Sequence, residues 1–478
     1  MKQSLALLLL FLGCMLPAQN SKSIDGKIAA TADKNAEVLL RNTKANAVSI
    51  GIFKNGKVYT RHFGEIDKGK SNKASDSTLF EIGSVTKLFT GTLLAQAVLE
   101  GKIGLEDDIR KYLNGSYPNL EYKKVPVKIK DLVAFRSAFN KELPDNSELR
   151  KNENDSTVFY LKRRDEAYSK TQFLEELKTV KLDTFPGTVE KYSNTSLELT
   201  AVILENVYHT AFETLLREQL FAKLKIKHAE RNSQTGKGIA NGYAGKGNKM
   251  PAMFTQLWGA GGYRSATLQD LMQFMKFELS KEKSAVETQR NISDSDQNWN
   301  GYFWDGILVA DNGKLCHKQG GTYGTQTFFA AFPERQLGIV IIVNQNTRET
   351  YGKLFNAVLE IAEDLKPESQ TKKTSYGYRL TKDAVVFTYS HPKNLDWKLI
   401  KTVSVVGSFN DWNPADEKYK MTSKGNGSFE ISIPKSQFER QKDYSFKFVI
   451  NQVGWMTTPK NALNVDKTED RNLIFRLD

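Results

Sequence analysis

Apolar residues along this chain recur at two spacings, and the switch between them divides it into elements. Helical spacing is expected over residues 24–42. Ala47–Phe53 and Lys57–Phe63 alternate on either side of Asn55-Gly56, a pair that suits a two-residue hairpin. Val85, Leu88, Phe89, Leu93, Leu94, Ala97 and Val98 mark a helix that starts at Ser84 and ends near Glu100, with Gly101 and Gly104 following. A short helix is expected from Leu105 to Ile109, and helical pieces at 159–161 and 171–177 within an otherwise polar stretch. Ser196–Val207, Phe212–Phe221 and Thr350–Leu365 read as further helices, as does the run holding Leu268, Leu271, Phe274 and Met275, with Ser265 as its expected cap. Tyr302–Val309, Lys314–Gln319, Thr325–Phe332 and Gly338–Val343 follow one another as strands joined by turns, hence an antiparallel sheet.

Beyond Lys366 the pattern changes. A polar, proline-bearing segment leads into short β-rich runs, 384–389, 402–406, 429–433, 444–450 and 473–477, a spacing that suggests a sandwich. The expected fold class is therefore mixed α/β (α+β): an antiparallel sheet flanked by helices, a helical subdomain, then a small all-β sandwich. The expected divisions are a leader at 1–18, a first domain at 24–365, a linker at 366–376 and a sandwich at 377–478.

Composition changes this picture little. The chain has 478 residues, 40% of them hydrophobic and 26% charged, ordinary for a globular protein. The net charge of +13 comes from scattered lysines with no basic run interleaved with aromatics, so it reads as a solvated surface and no nucleic-acid partner is expected. Met1-Lys2 followed by the apolar run Leu5–Leu12 and by Leu16-Pro17-Ala18 reads as a secretory signal. The expected location is periplasmic or extracellular, with a lipid anchor on Cys14 as a second route. No later segment is apolar enough to cross a membrane, and if Cys14 leaves with the leader, Cys316 has no partner for a disulfide.

Candidate chemistry begins at Ser84-Val85-Thr86-Lys87. Residues three apart share a helix face, so a hydroxyl and an ammonium meet at a helix N-terminus, where negative charge is favoured. Ser-x-x-Lys also occurs at Ser280/Lys283 and Ser390/Lys393, and an N-cap serine near a surface lysine explains such a match equally well. Ser84 differs in the glycine before it, the long apolar helix after it, and two later motifs, Tyr192-Ser193-Asn194 and Lys318-Gln319-Gly320-Gly321-Thr322. Tyr-x-Asn recurs at Tyr112-Leu113-Asn114, which reads as surface. In a pocket of this composition, cations beside Tyr192 favour its phenolate and crowding favours a neutral lysine, so a base exists without histidine or carboxylate. The five histidines show no metal-ligand spacing, and no metal or cofactor is expected.

With these three motifs in this order, preceded by Pro186-Gly187-Thr188 and joined by Gly259-Ala260-Gly261-Gly262-Tyr263-Arg264-Ser265, the chain resembles the serine β-lactamase and penicillin-binding superfamily, most like its class C, D-aminopeptidase and esterase branch, over roughly 24–365. The resemblance implies an acyl-enzyme at Ser84, with Tyr192 as the favoured base and proton donor and Lys87 coupled to it. It implies that Asn194 orients Lys87 and a substrate amide, and that Lys318 steers a substrate carboxylate. Gly320, Gly321 and Thr322 would line the substrate's path, with the N–H groups of Ser84 and Gly321 as oxyanion donors. The substrate would be a small molecule or peptide. Two departures stand out: Gln319 replaces the usual threonine, and Lys130–Ala138 lacks the usual His-Thr-Ser-Gly, which points to altered cleft packing. His317 is expected on the face opposite Lys318, in a structural role.

Val405–Asn413 and Tyr444–Ile450 resemble the glycogen-binding and isoamylase N-terminal type of β-sandwich. That resemblance implies a polysaccharide contact through Trp412, Lys447 and Trp455, with Asn472 a weaker member. The alternative is that both tryptophans pack inside a spacer domain. A catalytically silent polysaccharide-binding protein is thus a second functional reading beside the serine hydrolase.

Overall fold

The computed structural model describes residues 16–151, 154–293, 299–310, 313–366, 374–391, 400–459, 461–468 and 470–478. The leader's apolar core with Cys14, and most of the expected linker, lie outside these residues, as does Lys393.

The first domain is built on six antiparallel strands: β1 (Ala47–Lys54), β2 (Lys57–Gly64), β3 (Gly306–Ala310), β4 (Gly313–Gly321), β5 (Gln326–Phe332) and β6 (Leu337–Val343). Their order across the sheet is β3-β4-β5-β6-β1-β2. All residues of β1, β5 and β6 are buried, because helices cover both faces. Val48, Ile50, Ile52, Ile339 and Ile341 pack with α1 (Leu16–Thr43) and the last helix of the domain, α5 (Thr350–Asp364). Phe329, Val340 and Ile342 face the other way, into the core shared with α2 (Thr86–Leu99) and α4 (Leu268–Glu278). Burying side chains on both faces explains the near-continuous apolar text of these strands.

α2 is buried almost all round, including Thr86, Lys87, Thr90 and Thr92, so it is a core helix and not an amphipathic one. A 3-10 turn, Gly83–Val85, precedes it, so Ser84 sits just ahead of the α-helix expected to begin there. The short helix expected to begin over Leu105–Ile109 starts only at Ile109 and is a single 3-10 turn, Ile109–Tyr112, capped by Asp108, which accepts from the Arg110 N–H. Thr267, not Ser265, caps α4, in a capping box with Asp270. The strand expected from Tyr302 starts only at Gly306, since Phe303 takes φ +62, which a strand cannot accommodate. The subdomain between α2 and α4 is largely helical, with α3 (Asn194–Tyr208) as its central helix.

The C-terminal region forms two antiparallel sheets. One orders Tyr378–Leu380, Ala384–Ser390, Ser428–Pro434 and Thr422–Gly425; in the other, Asp443–Ile450 pairs with Val403–Gly407, Gly454–Trp455 and Leu473–Arg476. Aromatics fill the space between them, with Phe387 edge-on to Phe446 at 5.0 Å. The second sheet seats against β3: a Cβ on Gly454 would stand 2.2 Å from the Val309 carbonyl oxygen. Among the described residues, no helix is long and apolar enough to cross a membrane.

Candidate active site

Glycines let two backbones meet where the site forms. Gly83 has φ +49, and a Cβ there would lie 2.8 Å from the Gly321 nitrogen; one on Gly320 would lie 2.0 Å from the Ile82 oxygen. The turn carrying Ser84 is thereby pressed onto the end of β4. Ser193 caps α3 by accepting from the Ser196 N–H, which leaves Tyr192 just outside the helix and Asn194 on its first turn.

Ser84 Oγ lies 2.6 Å from the Tyr192 hydroxyl and 3.1 Å from Lys87 Nζ. Lys87 Nζ also donates to Asn194 Oδ1 at 2.7 Å and to the Gly261 carbonyl. Lys87, three residues on, and Tyr192, 108 residues away, thus converge on the Ser84 oxygen. The Lys87 amine has two fixed acceptors beside it and Ser84 in the third direction. Burial holds its pKa well below the usual lysine range, the Lys318 cation adds to this, and Asp305 and Glu198 oppose it. A neutral amine with its lone pair toward Ser84 fits that environment.

Tyr192 behaves in the opposite way. Burial raises its pKa, Asp305 raises it further, and only its bond to Ser84 acts against this. Burial thus acts on the two groups in opposite senses: it disfavours the phenolate of Tyr192 and the ammonium of Lys87. The cations expected to favour a phenolate are present, with Lys87 and Lys318 4.9 and 5.2 Å from the centre of the Tyr192 ring. Desolvation and a neighbouring carboxylate outweigh them.

That carboxylate is Asp305. Lys318 Nζ is 2.6 Å from Asp305 Oδ1, and the Gln319 N–H donates to Asp305 Oδ2 at 2.7 Å. Lys318 is fully buried, 5.1 Å from the Phe135 ring centre, so its charge is already answered inside the protein. The residue expected to steer a substrate carboxylate therefore already holds one carboxylate of the protein itself. Thr322 lines the cleft, but its hydroxyl is engaged in the turn to Thr325, accepting that residue's N–H at 3.0 Å. His317 lies on the other face of β4 as expected, stacked on Phe328 at 5.9 Å, with its pKa lowered by burial.

Ser84, Tyr192, Asn194, Gln319, Gly321 and Thr322 open onto a cleft of about 930 Å³. A second cavity, about 350 Å³, lies beside Ser84 and Tyr192 and is walled by Asp305, His317, Gln319 and Tyr351. Among the described residues, no cluster of His, Cys, Asp or Glu is arranged to hold a metal ion.

Four contributors escaped the sequence reading. Asp305 was legible in principle: counting back from the Asn312-Gly313 turn signal, β3 and β4 pair Gly306 with His317, which sets Asp305 beside Lys318. Glu198 lies one turn after Asn194; its carboxylate accepts the Trp258 and Gly261 N–H groups and so fixes the loop whose carbonyl meets Lys87. Phe135, from the segment that departs from the family pattern, stacks on Tyr192 at 4.8 Å with φ +54. Gly261 contributes only a carbonyl, for which sequence holds no signal. The competing motifs stay elsewhere. Ser280 accepts the Glu282 N–H at 3.1 Å in an exposed turn, while Tyr112 bonds Asp107 and Asn114 bonds Asn206 at the surface.

In the sandwich, Trp412 and Trp455 stand 6.4 Å apart with planes inclined by 39°. Trp455 is 44% exposed and Trp412 half-buried. Lys447 donates to the Asp470 carbonyl at 2.8 Å, and Asn472 is tied to Asp466 at 2.9 Å.

Comparison with known proteins places this geometry. The family description "Beta-lactamase" matches residues 32–363. Protein flp of Staphylococcus aureus (strain MRSA252) is 28% identical over 312 residues, 63% of this chain and 59% of that protein, so the match spans under two thirds of that relative. A protein named Beta-lactamase from Escherichia coli (strain K12) is 24% identical over 352 residues, 64% of this chain and 86% of its own length. Among solved structures, a Beta-lactamase/D-alanine Carboxypeptidase from Yersinia pestis complexed with citrate superposes with TM-score 0.59 at 22% identity, covering 71% of this chain and 99% of that one; it shares the fold.

Proposed function

Because the chain belongs to the beta-lactamase family, we propose that it is a serine hydrolase that forms an acyl-Ser84 intermediate on an amide, ester or β-lactam bond. The observation that carries this is Ser84 Oγ between the Tyr192 hydroxyl and the Lys87 amine, at 2.6 and 3.1 Å. Lys87, depressed in pKa, takes the Ser84 proton as Oγ attacks the carbonyl carbon. The N–H groups of Ser84 and Gly321 are the assigned donors to the oxyanion. Tyr192, held protonated, gives its proton to the leaving group when the scissile bond breaks, and the proton on Lys87 restores the pair. Water then attacks the acyl carbon with Lys87 again as base, and the proton taken from water passes to Ser84 Oγ as the acyl bond breaks, which regenerates the hydroxyl and the neutral amine. The names of relatives support two bonds in particular, the β-lactam and the amide of a D-alanine peptide. The leader residues Met1–Ala18 support export, to the periplasm or beyond, with Cys14 as a site for a lipid anchor.

The test is intact-mass analysis after exposure to a fluorescent penicillin and to an activated phosphonate. A single adduct is expected, and it should vanish in Ser84→Ala. No adduct with either probe, or one that persists in the variant, refutes the reading.

A second reading is favoured by one observation, the surface pair of Trp412 and Trp455. Flat aromatic faces suit sugar rings. In this reading the sandwich holds a polysaccharide, with or without catalysis next door. Retention on amylose, glycogen or peptidoglycan that is lost in Trp455→Ala supports it; no retention on any of them excludes it.

A further inference from the structure

Asp305 meets Lys318 through one carboxylate oxygen and the Gln319 N–H through the other, at 2.6 and 2.7 Å. Using both oxygens fixes the side chain in one place. Behind it, Lys318 is fully buried against the rings of Phe135 and Tyr192, 5.1 and 5.2 Å from their centres. In front of it lies the cavity of about 350 Å³ that opens beside Ser84, and there Asp305 forms the wall while Lys318 does not. His317, buried and disfavoured as a cation, does not offset that charge. A molecule entering this cavity therefore meets the carboxylate side of the Asp305–Lys318 pair, with the ammonium behind it, next to the reacting hydroxyl.

We propose that Asp305 is a specificity-determining residue, a built-in carboxylate that occupies Lys318 and restricts the cavity beside Ser84 to acyl donors whose recognised group is neutral or cationic. Substrates that place a carboxylate there are rejected, because two carboxylates cannot share one buried ammonium without repulsion. The inference rests on Ser84 being the acylated nucleophile.

The probes are three p-nitrophenyl alkanoates that differ only at the chain end: methyl, carboxylate or trimethylammonium. Each rate is corrected for its reaction with hydroxide. In the natural protein, kcat/KM for the carboxylate ester is expected at least about tenfold below that of the methyl ester, with the trimethylammonium ester equal or faster. In Asp305→Asn, which frees Lys318, the order of the two charged esters is expected to invert, each rate being normalised to the methyl ester of the same variant because Asp305 also acts on Lys87. Equal use of the carboxylate and methyl esters by the natural protein overturns the proposal, and so does an unchanged ratio in a folded Asp305→Asn. If that variant fails to fold, the natural protein's ratio decides alone. Hydrolysis that survives Ser84→Ala removes the hydrolase reading and this inference with it. Ser84-dependent hydrolysis without discrimination removes only this inference.

Discussion

At the scale of single residues, the chemistry turns on where one proton rests. Lys87 is pushed toward the neutral amine by burial and by Lys318, and drawn back by Asp305 and Glu198. Activity that needs the free amine rises with pH until Lys87 has lost its proton, then levels. Lys318→Met removes the neighbouring cation and leaves Asp305 unanswered, and both changes raise the Lys87 pKa. The acid limb of the kcat/KM profile is therefore expected to move up by about one pH unit or more, with acylation restored at high pH. A profile that stays in place, or moves down, contradicts this account of the base. Sequence held the identities of Ser84, Lys87 and Tyr192 and the order of their motifs. It did not hold the desolvation of Lys87 and Tyr192, because that depends on neighbours that share no motif with them.

At the scale of elements, the site depends on a turn lying flat against a strand. Gly320 has no room for a side chain, with the Ile82 carbonyl in the way. Gly320→Ala should push β4 off the Gly83–Val85 turn, and a displacement of that order costs about a hundredfold in kcat/KM. Normal turnover in a folded Gly320→Ala would show that the contact is not needed. α4 carries a different constraint at its C-terminal end. Glu278 is fully buried, its pKa raised to about 8 by desolvation, and it accepts from Thr288 and Gln289. A carboxyl raised in the folded state stabilises it fully at pH below its unfolded value. That contribution is lost as pH climbs from about 4.5 toward about 8, on the order of a few kcal/mol. Thermal unfolding across this range should show a fall in Tm with rising pH that is flatter in Glu278→Gln. Parallel curves for the two proteins would assign the pH dependence to other groups.

At the scale of the whole molecule, the sandwich lies along β3, the outermost strand of the six, with Gly454 against Val309. An uncovered outer strand is a template for aggregation. A chain ending at Lys366 should have a lower Tm and aggregate sooner, yet keep kcat/KM per folded molecule within about twofold, since the site lies beyond the reach of that contact. A truncated protein as stable as the full chain would make the junction incidental. The same edge joins scaffold to chemistry: β3 begins beside Asp305, and β4 carries its partner Lys318.

The amino-acid sequence by itself determined the architecture: helical and strand periodicities long enough to survive errors at their ends, a change of text beyond Lys366, and three ordered motifs. Those signals are local, and local patterns are fixed by which faces each element must bury. The ends moved where side-chain contacts took over, as when Thr267 displaced Ser265 as a cap and Asp108 set the start of a short helix at Ile109. Only the tertiary structure decided that Asp305 answers Lys318, that Phe135 lies on Tyr192, and that burial disfavours the ammonium of Lys87 and the phenolate of Tyr192. These follow from distance and burial between segments far apart in the chain, and charge is weighed by its surroundings, which no stretch of sequence contains.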